Sequence, residues 1–202
     1  MNFHRILITT VLLAAYAASS AFAANRLALG NQPSKLYKEL CDSFDRKDST
    51  KAYDALQKSL CSICDDVKSI HAIDIKSEMT SAIDASNFTE AKNSLLKLVF
   101  FDTRAVYTEI NSKLPQATET TTLHNWLLVA YSNYVILSPM IQEKNMVTDL
   151  RLRKMFNAVL SRLSTSGYTE KTTVLDNDTR TLVKDFLEKS ALLLAEALPQ
   201  YQ

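Results

Sequence analysis

Two glycines, Gly30 and Gly167, and four prolines serve a chain of 202 residues. A phosphate-cradling loop or a dinucleotide fingerprint needs more clustered glycine than this chain has. Sandwiches and barrels need turn residues at intervals of about 8–12 positions, and these are missing. What remains is an all-α fold. The length is that of one compact domain, and a hydrophobic fraction of 47% supplies a core.

Residues 1–23 read MNFHRILITTVLLAAYAASSAFA and have the form of an export signal. Arg5 is the positive start, Ile6 to Ala15 the apolar stretch, and Ala21-Phe22-Ala23 a small-residue cleavage site. An uncut anchor would need about 20 apolar residues. No cysteine follows the site, which argues against a lipoprotein. The expected mature chain starts at Ala24 in the bacterial periplasm, with secretion as the alternative. Losing Arg5 leaves 22 basic residues from 23, matched by 22 acidic ones. Such a chain has no long-range field to gather nucleic acid or an anionic membrane. Asn87-Phe88-Thr89 and Asn177-Asp178-Thr179 are glycosylation sequons that would matter only in a eukaryote.

Residues 24–33 read as a flexible leader, 34–113 as helical hairpins, and 114–202 as a C-terminal bundle on the same core. Tyr37, Leu40, Cys41 and Phe44 fall on one face of a first helix. Asp48-Ser49-Thr50 offers caps for a second, with Ala52, Leu56, Leu60, Ile63 and Val67 on one stripe. A third fits Ile75 to Ala85. Asn87 caps a fourth that must stop before Pro115. Gln116 to Thr122 reads as a loop. The fifth and sixth helices fit Leu123 to Lys144, with Pro139 kinking it, and Val147 to Leu163. A polar connection from Ser164 to Asp176 leads to a seventh at Thr179 to Leu198.

The first four helices contain an internal repeat at a shift of 39 residues. Leu40 meets Met79, Phe44 meets Ile83, Asp45 meets Asp84, Ala52 meets Ala91, and Leu56 meets Leu95. Each unit is a helix, a tight polar turn, and a helix with alanine in its first turn, where a small side chain lets two helices approach closely. Over residues 34–101 this resembles a tetratricopeptide-type helical hairpin, although that family's period of 34 and its Trp, Gly and Pro positions are not matched. The resemblance implies two stacked hairpins; helices five to seven do not continue the pattern and are expected to close the core as a three-helix bundle.

Cys41, Cys61 and Cys64 are an odd set for an oxidising compartment. Cys61-Ser62-Ile63-Cys64 is followed by Asp65 rather than the His of covalent haem attachment, and it lacks the strand-to-helix setting that activates a thioredoxin thiol. Across a hairpin turned near 47–48, Cys41 lies about 10 Å short of Cys61, whereas a disulfide spans at most about 7 Å between Cα atoms. That link needs a bent turn. Buried thiols, a structural disulfide and redox or metal work all stay open for the three.

The mature chain has two histidines, His71 and His124, and neither lies in a zinc or di-iron motif. Asp65, Asp66 and Asp74 near His71 form a loose acidic neighbourhood that could hold a cation but more often is a solvated helix end. No serine lies in a G-x-S-x-G elbow. No cofactor, metal or catalytic residue is therefore assigned.

The least ordinary chemistry lies in the fourth and fifth helices. Leu95 to Phe101 is apolar nearly all round, which marks a helix buried on several sides. Asp102, Arg104 and Tyr107 follow, and His124, Trp126 and Tyr131 sit in an equally apolar run with Asn133 and Tyr134. A pocket between the two helices would have aromatic walls and a few polar groups, as small-ligand sites do. The competing reading is a core salt bridge with tyrosine hydroxyls at its rim. Arg151, Arg153, Lys154 and Arg162 crowd the sixth helix and read as a solvated face or as a surface for an acidic partner. The expected function is a non-enzymatic envelope protein that binds another protein in a concave surface between helices. A periplasmic small-ligand or metal-binding module is the alternative.

Overall fold

The computed structural model describes residues 26–165 and 174–201. The expected export signal, residues 1–23, lies outside the described residues. The described chain is all-α: α1 (Arg26–Leu29), α2 (Gln32–Asp45), α3 (Ser49–Ser59), α4 (Cys61–His71), α5 (Ile75–Asp84), α6 (Phe88–Lys113), α7 (Thr120–Thr165) and α8 (Asn177–Ala197), with short 3-10 turns at Leu114–Gln116 and Pro199–Tyr201. Among the described residues, no helix is long and apolar enough to cross a membrane.

The repeated unit exists as geometry. At the end of α2, Arg46 N–H donates to the Asp42 carbonyl (3.1 Å), Lys47 to Phe44 (3.1 Å) and Asp48 to Ser43 (2.9 Å). At the end of α5 the same three bonds run from Ala85 to Ser81 (3.1 Å), Ser86 to Ile83 (2.9 Å) and Asn87 to Ala82 (2.8 Å). Lys47 and Ser86 both take left-handed backbone, at φ 57° and 54°. Asp48 then caps α3 through Lys51 N–H (3.1 Å), and Asn87 caps α6 through Glu90 N–H (3.2 Å). Ala52 and Ala91, each in the first turn after its cap, are fully buried.

How the two hairpins meet differs from a one-directional stack. The packing partners run α2 to α3, α3 to α5, α5 to α6, and α6 back to α2. Each hairpin thus gives both of its helices to the other. The polar ties repeat the exchange, with Lys92 Nζ of α6 on Asp45 at the end of α2 (2.8 Å) and Tyr53 of α3 donating to Asp84 at the end of α5. Such reciprocity, in which i meets j and j meets i, is the signature of a two-fold pair.

Three expectations need correction. The stripe from Ala52 to Val67 is not one helix: it breaks at Leu60 (φ −105°, ψ −3°) into α3 and α4. Its apolar members stay buried on both sides of the break, so periodicity alone could not register it. Residues 26–33 are not a loose leader. They hold α1, turn at Gly30 (φ 58°) and dock on α6, because Arg26 is drawn into the interior by acidic partners. The loop at Gln116 to Thr122 is shorter than expected, since Pro115 sits in a 3-10 turn and α7 begins at Thr120.

α7 is broken at Asn145 (φ −154°, ψ 87°), between the two helices expected there. The Asn145 carboxamide oxygen accepts from Thr148 N–H (3.1 Å) and caps the second half. The halves fold back on each other. Tyr134 stacks on Phe156 with ring centroids 5.0 Å apart, and His124 Nε2 lies 3.2 Å from Ser164 Oγ. α8 closes the bundle by setting Phe186 against Phe156 (4.8 Å) and Tyr107 (6.3 Å). α6 passes through the middle and touches α2, α5, α7 and α8.

Candidate functional site

The deepest polar cluster centres on Asp102, which is 1% exposed in α6. The Arg26 guanidinium, itself 3% exposed, lies 2.7 Å from one carboxylate oxygen. The other oxygen accepts from the Tyr37 hydroxyl (3.0 Å) and the Asn133 carboxamide (2.9 Å). Ser34 donates to Asn133 Oδ1 (2.7 Å), and Arg26 reaches on to Asp66 (2.9 Å). Behind Arg26, the Leu27 N–H donates to Glu109 (3.3 Å), which Lys113 also contacts. The cluster ties α1, α2, α4, α6 and α7 together. Burial pushes the Asp102 carboxyl above the usual range, although Arg26, Asn133 and Tyr37 all pull it back. Burial also lifts the Tyr37 hydroxyl well above its ordinary value, and Asp102 adds to the rise. The arrangement is a buried salt bridge in which Arg26 Nη1 and Asp102 Oδ1 meet as an ion pair, and among the described residues Arg26 Nε finds no hydrogen-bond partner.

A second cluster lies inside the α7 hairpin. Asp149 accepts from Tyr134 Oη (2.7 Å), Ser138 Oγ (2.7 Å) and Arg153 Nε (2.7 Å). Burial works against the charge here too, but the three donors outweigh it and hold Asp149 below the usual carboxylate range.

The six residues expected to line one pocket are dispersed. Asp102 and Tyr107 are buried, but Tyr107 turns toward Phe186. Arg104 faces solvent, with its guanidinium 5.7 Å from the Phe100 ring. His124 is paired with Ser164, and Tyr131 packs on Phe156 (5.3 Å). Trp126 lines a shallow surface depression with Leu27, Gly30 and Asn125. Of the residues named with them, Asn133 is the one that joins Asp102. The missing partner, Arg26, came from the supposed leader. No motif announced it.

Cys41 is a half-buried thiol, which burial pushes up to about 11, so it is protonated at neutral pH. Cys64 is buried in the core. Cys61 opens α4, and its side chain lies outside the described residues. Around His71, Asp66 is taken by Arg26, while Asp74 caps α5 through Ser77 N–H (3.1 Å) and pairs with Lys68. His71 itself stacks on Phe101 with centroids 4.4 Å apart. Among the described residues, no group of His, Cys, Asp and Glu is placed to hold a metal ion.

The surface feature that stands out is at the Asn145 end of the bundle. Met146, Val147, Leu150 and Leu192 are 56%, 58%, 49% and 64% exposed. Leu192 lines a groove of about 530 Å³ between the second half of α7 and the last turns of α8. Met155, Leu192 and Leu193 give it an apolar lining, and Arg151, Lys154, Lys189 and Glu196 form the rest. Val147, Leu150, Arg151 and Lys154 fall at i, i+3, i+4 and i+7, so they share one face of α7. The charge pattern marks the cations of this face, and the apolar residues between them carry no such signal. Arg153, counted with those cations, belongs instead to the Asp149 cluster. No protein-family model, curated protein or solved structure matches this chain.

Proposed function

We propose that the protein is an exported, non-enzymatic helical module of the cell envelope that acts by binding another protein. The observation that carries this reading is the exposure of four large apolar side chains, Met146, Val147, Leu150 and Leu192, on the two helices that form the α7–α8 groove, where most other large apolar side chains among the described residues are buried. Large apolar side chains exposed around a groove mark interaction sites. The interior polar chemistry works for the fold: Asp102 is held by Arg26, Tyr37 and Asn133, and Asp149 by Tyr134, Ser138 and Arg153. The binding surface in this proposal is the α7–α8 groove rather than a concave face between stacked hairpins. Export rests on the pattern of residues 1–23, and the periplasm is its expected destination.

The test places a photocrosslinking side chain at Leu192 in living cells. A single stoichiometric adduct recovered from the envelope fraction is the expected result. Repeated recovery of the uncrosslinked monomer, or of protein confined to the cytoplasm, would overturn the proposal.

A further inference from the structure

We infer that the α7–α8 groove receives an acidic amphipathic helix of the partner protein; this deepens the protein-binding reading and rests on it. Three cations, Arg151, Lys154 and Lys189, and one carboxylate, Glu196, surround the apolar lining. Among the described residues, Arg151 and Lys154 form no ion pair, and Lys189 has only a long one to Asp185 (3.5 Å), both side chains being largely exposed. The α7 side of the rim carries Arg151 and Lys154, and on the α8 side Glu196 offsets Lys189, which leaves an excess of two positive charges at the groove, while the chain as a whole carries a net charge of only +1. The local excess therefore belongs to this surface and is not a general property of the molecule.

Geometry sets the kind of occupant. Val147 to Met155 spans eight helical rises, about 12 Å, the length of roughly two turns of a partner helix. An apolar stripe at i, i+3, i+4 and i+7 would lie on Met155, Leu192 and Leu193, in the manner of other helix-in-groove complexes. Carboxylates flanking that stripe would then meet Arg151 and Lys154 on one side and Lys189 on the other. A second copy of this chain fits worse. A two-fold contact through the groove sets the same patch against itself and brings together six cations with only two carboxylates. An anionic membrane also fits worse, because the apolar side chains line a groove that also holds the Glu196 carboxylate, and the overall charge gives no long-range attraction.

Two synthetic peptides test the inference. Both carry leucines at i, i+3, i+4 and i+7; one has glutamates on its flanks and the other lysines. By fluorescence anisotropy, the acidic peptide is expected to bind the purified protein at least about 10-fold more tightly and to weaken with added salt. Arg151→Glu/Lys154→Glu/Lys189→Glu should reverse the preference, and Leu192→Asp should weaken both peptides, with melting curves confirming that each variant is folded. Equal binding of the two peptides, binding of neither, or preferential uptake by phosphatidylglycerol vesicles overturns the inference. The Leu192 crosslink separates it from the broader reading. A captured segment that sequencing shows to be acidic and amphipathic supports both. A neutral or basic segment leaves protein binding standing and sinks this inference, as does a crosslinked dimer of the chain itself. No adduct sinks both.

Discussion

The Arg26 guanidinium lies 2.7 Å from the Asp102 carboxylate, and both side chains are almost wholly removed from solvent. The pair joins the first described helix to the middle of the longest unbroken one. Taking two charges out of water costs several kcal/mol per ion, and attraction offsets this only when the remaining polar atoms are also engaged. Tyr37 and Asn133 engage the second carboxylate oxygen and Asp66 a second guanidinium nitrogen, while Arg26 Nε has no hydrogen-bond partner among the described residues. The first few described residues are thus a structural element, and their side-chain chemistry holds the core in register.

Removing one partner should be costly and pH-dependent. Arg26→Met is expected to destabilise by about 3–5 kcal/mol at neutral pH, because it leaves the Asp102 charge buried and uncompensated. The folded carboxyl already titrates above its ordinary 3.8, so the folded chain binds the proton more tightly than the unfolded one. Stability from this group therefore falls as pH rises from about 3.8 through the folded value, and is regained on acidification. Urea unfolding across that range should show the cost of Arg26→Met shrinking toward low pH. The double variant Arg26→Met/Asp102→Leu should recover most of the loss. A cost that is constant with pH would refute the buried charge.

Asp149 should behave in the opposite sense. Its folded value lies below 3.8, so its contribution is present above about 3.8 and lost as pH falls through the folded value. Asp149→Asn is expected to cost about 1.5–3 kcal/mol at pH 7, the range for hydrogen bonds to a charged group. The gap between the wild type and this variant should close at acid pH. Thermal melts between pH 7 and pH 2 would check both the size and the direction.

Most of the helices were legible because their caps and stripes are local. Asp48 and Asn87 stand where the structure caps α3 and α6, and the break at Asn145 falls between two apolar patterns. The candidate pocket was not legible, for reasons of helix geometry. Asp102 and Arg104 are two apart, and residues so spaced point to different sides. Asp102 therefore faces the core while Arg104 faces solvent. Its true partner sits in a four-residue helix too short to give a periodic signal. The kink at Leu60 was hidden for a related reason: a helix that bends about its buried face keeps that face buried.

The close approach inside each hairpin predicts intolerance to size at two equivalent positions. Ala52 and Ala91 are fully buried one turn after their caps. Ala52→Leu or Ala91→Leu should destabilise by about 1–3 kcal/mol through overpacking. Denaturant melts of each variant would check this, and wild-type midpoints would show that the helices stand further apart than the burial indicates.

The paired turns predict a gain as well. Lys47 and Ser86 hold φ of 57° and 54°, where a side chain crowds the following carbonyl, and both residues are exposed. That conformation costs a non-glycine residue about 1–2 kcal/mol. Glycine removes the clash but gives up more chain entropy on folding, about 0.5–1 kcal/mol. Lys47→Gly and Ser86→Gly should each therefore stabilise, by up to about 1 kcal/mol. Ser86→Val should do the reverse, since a branched side chain tolerates this backbone least. The two glycine variants should respond alike in denaturant melts, because the same three backbone bonds hold both turns. A gain at one turn with a loss at the other would mean that the hairpins do not share the geometry described for them.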